Sequence, residues 1–151
     1  MNPVSENPLL PPIDEENAPF WEAARRGELS VQRCRDSGRL IFPPRSHSPW
    51  GGHREPEWVT VSGRGSLWSF VVPHPPLLPY FAERAPYNVI VVALDEDPSV
   101  RLVGNLVTGE GETDITAIDP AAIVIGTRVR VVFDPGDEEI RLPRWVVDEV
   151  S

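Results

Sequence analysis

One cysteine, three histidines and two short acidic clusters are the residues in this chain whose types could do chemistry. Cys34, the only thiol, would need an adjacent base to act as a nucleophile, and none stands near it. His74, between Pro73 and Pro75, could serve as a general base, but without a partner it reads as a structural loop residue. Gly63-Arg64-Gly65-Ser66 is neither the G-x-S-x-G of a nucleophile elbow nor a phosphate-binding G-x-G-x-x-G. Its glycines more simply let the chain turn sharply into a strand. Asp95, Glu96 and Asp97 could form an acid pair or a cation site, yet a solvated hairpin tip explains them with less; Glu110, Glu112 and Asp114 admit the same reading. All fourteen basic residues are Arg, so lysine-base and Schiff-base chemistry are excluded. No nucleophile, base and orienting group form one constellation, which argues against an independent small enzyme.

The elements that position these residues must be short. Eighteen prolines and eleven glycines in 151 residues punctuate the chain too often for long helices. The organising stretch runs from Tyr87 to Val107, where the apolar run Val89 to Leu94 and the run Arg101 to Val107 flank a polar turn containing Pro98. This reads as a β-hairpin. Since Ile90, Val91 and Val92 lack a polar alternate, both faces of the first strand should be covered, as in a small closed barrel. Further strands are expected at 29–33, 39–42, 57–61, 66–73, 128–133 and 140–147. A helix over Ala18 to Arg26 should be capped by Asn17, with Pro19 in its first turn and Gly27 as its stop. A short helix could form around 117–122.

With a formal net charge of -9 and a pI near 4.8, the chain lacks a generic polyanion-binding surface. A lone cysteine allows no intrachain disulfide and fits a reducing compartment. Neither a signal-peptide core nor an apolar run of about 18 residues is present, so a cytoplasmic location with no membrane contact is expected.

Several small motifs occur in a telling order: PFWEAARRGEL, LSVQRC, a turn, FPPR, SPWGG and WVTVSGRGSLWSF. After them come Pro86-Tyr87, Leu94-Asp95-Glu96, Gly104-Asn105-Leu106-Val107, Ile125-Gly126-Thr127 and Leu142-Pro143-Arg144-Trp145. Together they resemble the DUF35 family, a rubredoxin-like zinc ribbon followed by an acyl-CoA-associated OB-fold, over roughly residues 18–147. The resemblance implies an all-β OB barrel of five to six antiparallel strands, preceded by an N-terminal helix and a ribbon-like hairpin. It divides the chain into a flexible arm (1–16), helix and ribbon (17–56) and the OB domain (57–151).

The chain departs from the family at the metal. Such a ribbon holds Zn²⁺ with a C-x2-C and a C-P-x-C, because the ion takes four soft ligands in a tetrahedron. Here those positions read Cys34, Ser37, Ser48 and Gly51. His47, His53 and Asp36 do not restore the spacing, so the knuckle is expected to fold without zinc, held by Ile41, Phe42, Pro43, Pro44 and Trp50, with Cys34 a partly buried remnant.

What the resemblance implies functionally is a non-catalytic accessory subunit of an acyl-CoA enzyme. The partner would be a thiolase-like or hydratase protein, with an aldolase of steroid side-chain degradation preferred, in a hetero-oligomer. Candidate partner contacts are Phe20 and Trp21 on the helix, Phe42 and Trp50 on the knuckle, and Leu77, Tyr80 and Phe81 in the proline-rich loop. The alternative for the two helix aromatics is packing on the barrel. No cofactor is expected to bind tightly. If acyl-CoA is touched at the interface, Arg45, Arg64 and Arg144 suit its phosphates. The competing reading is a single-strand nucleic-acid-binding OB module, for which Trp58, Trp68, Phe70 and Tyr87 could stack on bases but the net charge is unfavourable.

Overall fold

A computed structural model describes residues 10–149. In chain order it contains α1 (Ala18–Arg25), β1 (Leu29–Arg33), β2 (Leu40–Ile41), β3 (Glu57–Val61), β4 (Arg64–Val71), α2 (Pro79–Ala82), β5 (Val89–Leu94), β6 (Arg101–Gly104), a 3-10 turn (Pro120–Ala122), β7 (Arg128–Phe133) and β8 (Pro143–Val147). Most of the flexible arm expected at 1–16 lies outside the described residues. Leu10, which is described, packs against the main core.

Helix α1 forms where expected, but its start is built differently. Asn17 makes no side-chain cap. Instead Asn17 and Asp14 exchange backbone-to-carbonyl and backbone-to-carboxylate bonds of 2.8 Å each, and Asn17 Nδ2 donates to the Pro12 carbonyl. The asparagine thus folds the chain before the helix back on itself, with Pro19 in the first turn, where no N–H is required. Gly27 takes a positive φ as the stop.

Two antiparallel sheets follow. β2, β1 and β3 form a three-stranded sheet, and β6, β5, β4, β7 and β8 a five-stranded one. The sequence grouped residues 57–61 with the barrel; in the structure β3 pairs along its whole length with β1, from Leu29 opposite Val61 to Arg33 opposite Glu57. The larger sheet closes on itself. Past the end of β6, Leu106 bridges Trp145 of β8 in parallel, with Val107 N donating to the Trp145 carbonyl at 2.8 Å and Trp145 N to the Asn105 carbonyl at 3.0 Å. A three-strand meander, a fourth strand beside the first, and a fifth joined in parallel to the third is the OB arrangement, so the expected fold class holds.

Trp145 fills the barrel at 0 % exposure, with Leu67, Ile90, Val92, Leu94, Leu102 and Val129 around it. Replacing such an indole by Ala costs about 3–5 kcal/mol. Gly104 is required beside it, since a Cβ there would stand 2.8 Å from Trp145 Nε1. β8 is shorter than the 140–147 run, because Pro143 can only begin a strand. Only the 3-10 turn Pro120–Ala122 forms in the segment considered for a helix, with Asp119 capping it through the Ala121 N–H.

Candidate functional site

The four ribbon positions converge in space. Cys34 Sγ accepts from the Ser37 N–H at 3.4 Å and lies 3.9 Å from the Gly51 carbonyl, to which its S–H can donate. Hydrogen bonds from the Ser37 and Ser48 hydroxyls and the Ser37 backbone hold the thiol down from 9.0 to about 7. At 1 % exposure Cys34 is fully rather than partly buried, so this thiolate-prone sulfur cannot reach an outside substrate. Other contacts knit the loops. Gln32 accepts from Arg45 N at 2.7 Å and donates to the Arg45 carbonyl at 2.9 Å. Arg54 pairs with Asp36 at 3.0 Å, and the Asp36 carboxylate occupies the space where a Cβ on Gly52 would stand.

One thiol, two hydroxyls and a carbonyl are not a zinc donor set. No group of three or more His, Cys, Asp or Glu among the described residues could hold a metal ion; His47 bonds only the neighbouring Ser46 hydroxyl. The residues present do not fit the metal of a ribbon. Ile41 and Phe42 pack beneath the knuckle as expected. Trp50 does not: it lies 44 % exposed under the Arg39 guanidinium, 3.5 Å from its ring centroid, with Nε1 donating to the Leu40 carbonyl.

The three arginines named for phosphate contact are not brought together. Arg144 is buried, donating to Asp134 at 3.1 Å and to Asn105. Arg64 is half-exposed and its Nε lies 3.4 Å from an Asp148 carboxylate oxygen. Arg45 lines a cleft with Glu15, Glu16 and Glu55, whose carboxylates oppose an anion. The acidic turn after β5 is more than a solvated tip. Asp95 forms a two-pronged ion pair with Arg128, which holds its carboxyl below the usual range. Glu96 accepts from the Ser62 N–H and hydroxyl, and Asp97 from the Ser99 N–H and hydroxyl. Asp114 likewise accepts from Thr116.

Of the aromatic partner candidates, Phe20 and Trp21 belong to the chain's own core, in edge contact with each other at 4.9 Å. The packing alternative is what the structure shows for them. Phe42 lies half-buried against Phe20. Leu77, Tyr80 and Phe81 are half-buried in the loop around α2, where Tyr80, Phe81 and Tyr87 form a run of rings at 5.0 and 5.6 Å.

A second surface escaped the sequence reading. On the outer face of the β4–β5–β6 meander, Val71 pairs with Val89 and Val91 with Val103. Arg101 of β6 stacks on the Trp68 ring at 3.7 Å. Val103 is 64 %, Val71 58 % and Trp68 50 % exposed. Beside Trp68, the loop carrying exposed Val124 and Ile125 pairs through Gly126 and Thr127 with Leu67. The signal was in the sequence all along, as the unbroken apolar run that demanded cover on both faces; the described residues cover one face fully and leave Val89 and Val91 on the other half-buried.

Comparison with known proteins also finds two parts, with β3 counted in the barrel part. A family model described as ChsH2, C-terminal OB-fold domain, matches residues 58–134, and one described as ChsH2, rubredoxin-like zinc ribbon domain, matches residues 21–48. A probable enoyl-CoA hydratase alpha subunit of Thermomonospora curvata is 35% identical over 133 residues, 88% of this chain and 38% of its own length. The 3-oxo-4,17-pregnadiene-20-carboxyl-CoA hydratase alpha subunit of Mycobacterium tuberculosis is 33% identical over 138 residues, 91% of this chain and 38% of its own. The chain thus spans 38% of the length of these curated relatives. Among solved structures, a chain of an Ltp2-ChsH2(DUF35) aldolase superposes with a TM-score of 0.74 at 34% identity, covering 91% of this chain and 98% of that one. A DUF35-family protein of unknown function from Sulfolobus solfataricus shares the fold at TM-score 0.57 and 13% identity, over 89% and 86% of the two chains. A helix and ribbon feeding an OB barrel, with one thiol left at the ribbon's four ligand positions, make this chain a member of the ChsH2 branch of the DUF35 family.

Proposed function

We propose that this chain is a non-catalytic accessory subunit of an acyl-CoA enzyme, partnered in a hetero-oligomer by a thiolase-like aldolase that acts in steroid side-chain degradation. The observation that carries the reading is the near end-to-end match to a chain of an aldolase assembly, at 98% of that chain's length. A relative named for a pregnadiene-carboxyl-CoA substrate supports a steroid acyl-CoA as the material handled. The described residues hold no catalytic constellation, so carbon–carbon chemistry falls to the partner.

The partner's docking site in this proposal is the outer face of the barrel meander. Val71, Val91 and Val103 make an aliphatic stripe, with Trp68 and Arg101 at its end. The one carboxylate beside this stripe among the described residues, Asp95, is already paired with Arg128. An apolar partner surface with an acidic group opposite Arg101 fits it. Barrels that bind single strands present stacking aromatics in a basic groove; here valines stand in that place, which favours protein. Trp50, Tyr80 and Phe81 are secondary contact candidates.

Purification from the native host at moderately high salt, with mass spectrometry of what stays bound, tests the reading. An aldolase or thiolase-like protein in fixed ratio is expected. A chain recovered alone, or with nucleic acid that salt removes, would overturn it. Val103→Asp should abolish co-purification while leaving the melting temperature of the isolated chain nearly unchanged, since the side chain is exposed.

A further inference from the structure

Nearly every arginine of this acidic chain has a partner for its guanidinium: a carboxylate, a backbone carbonyl or an aromatic ring. Arg45, Arg130 and Arg141 have none among the described residues. Arg45 stands among carboxylates. Arg130 and Arg141, by contrast, line one cleft of about 280 Å³ beside the C-terminal end of α1, with Ala24, Gly27, Phe133 and Glu110. No carboxylate among the described residues pairs with either guanidinium. Arg141 Nε is buried and has no acceptor. Buried donors almost always have one, so an unmet donor in a cleft marks a place for an anion or an ordered water.

Both arginines are held by fixed elements. Arg130 sits in the middle of β7, between β4 and β8. Arg141 follows a turn in which the Asp137 carboxylate accepts the N–H groups of Glu139 and Ile140. That turn is tied to α1, because Arg25 donates to the Glu139 carbonyl at 3.3 Å. With the backbone at both positions already in place, an anion has to order only the two side chains. The negative end of α1 and Glu110 at the rim oppose anions; the two guanidinium groups outweigh them, and that net attraction grows with the charge of the ligand. The cleft is too small for a whole nucleotide. It holds one tetrahedral group, with the rest of the molecule outside.

We propose that the cleft between Arg130 and Arg141 binds the phosphate group of a small phosphomonoester or of free phosphate. The inference rests on this chain's own residues and is independent of the partner assigned above.

The test follows the arginine Nε–Hε signals of the labelled full chain by NMR at constant ionic strength, during titration with inorganic phosphate, then phenyl phosphate, then acetate. Saturable shifts of the Arg130 and Arg141 signals with the two phosphates are expected, with a dissociation constant in the range of about 1 mM. Arg130→Gln and Arg141→Gln should each weaken binding about tenfold, whereas Arg45→Gln should not. If Arg141→Gln fails to fold, Arg141→Lys keeps the charge and loses the fork, and should weaken binding several-fold. Tighter binding of phenyl phosphate would identify a tethered phosphate as the ligand; equal binding would identify the free ion. Absence of saturation, equal shifts with acetate, or unchanged binding in the Arg130 and Arg141 variants would overturn the proposal.

Discussion

Asn88 gives Leu106 the hydrogen bonds that a strand neighbour would otherwise provide. Its carboxamide accepts from Leu106 N at 2.6 Å and donates to the Leu106 carbonyl at 3.0 Å, while Asn105 Nδ2 donates to the Asn88 carbonyl at 2.6 Å. Asn88 is 0 % exposed. It holds the chain past β6 in the position from which Leu106 bridges β8 and closes the barrel. Replacing Asn88 by Ala leaves a buried N–H and C=O of Leu106 without partners, at a cost of about 1–3 kcal/mol each way. Urea unfolding should show a lower midpoint with an unchanged slope; a loss below about 0.5 kcal/mol would deny the residue this role.

Arg144 and Asp134 form a second buried link, with side chains 10% and 11% exposed. Removing one partner strands the other charge, so Arg144→Met and Asp134→Leu should each cost about 3–5 kcal/mol. The double variant should recover part of that loss. Purely additive losses in a double-mutant cycle would show that the two groups do not act as a pair.

Native protein, untagged and not treated with chelator, should contain no stoichiometric zinc by elemental analysis, because three of the four ribbon positions lack a thiolate. Ser37→Cys, Ser48→Cys and Gly51→Cys in one chain should restore zinc binding. Gly51 has open space for a side chain but a φ of +83°, so the restored site will carry about 1 kcal/mol of backbone strain. Stoichiometric zinc in the unaltered protein would refute the assignment.

The thiol of Cys34 ionises at about 7 in the folded chain because Ser37 and Ser48 donate to the sulfur. A lowered folded value means that the unfolded chain holds the proton more tightly. The contribution is therefore fully present above the unfolded value near 9 and is lost as pH falls through about 7. Thiolate ultraviolet absorbance should titrate near pH 7 and move upward in Ser37→Ala. Native alkylation should still be slow at pH 8, since access requires opening of the knuckle; rapid labelling would contradict the burial.

Asp95 is kept below the usual carboxylate range chiefly by its hydrogen bonds to Arg128. Its stabilising effect exists above the ordinary carboxylate value and disappears as pH falls through the depressed one. The pair is exposed by more than a third, so screening limits it to a few tenths of a kcal/mol up to about 1 kcal/mol. Asp95→Asn should flatten the acid limb of the stability profile by that amount, and high salt should shrink the difference. An unchanged acid limb would assign the acid sensitivity to other carboxylates.

Local pattern was enough to place most elements and the family. Short apolar runs between Pro and Gly set the strands, Pro19 and Gly27 bounded the helix, and the ordered motifs identified the barrel and the ribbon. The loss of zinc ligands was also legible, because ligand identity is a property of single positions. Tertiary structure decided what depends on which groups meet across long separations in the chain. It assigned β3 to β1, drew Phe20 and Trp21 into the core, and bound Arg144 to Asp134. It also brought Arg130 and Arg141 into one cleft with no carboxylate among the described residues paired to either, which no spacing of two arginines in sequence could reveal. Above all, the sequence required cover on both faces of β5, and only the closed barrel could show which face the chain covers itself: curvature turns Ile90, Val92 and Leu94 inward and leaves Val91 and Val103 outside.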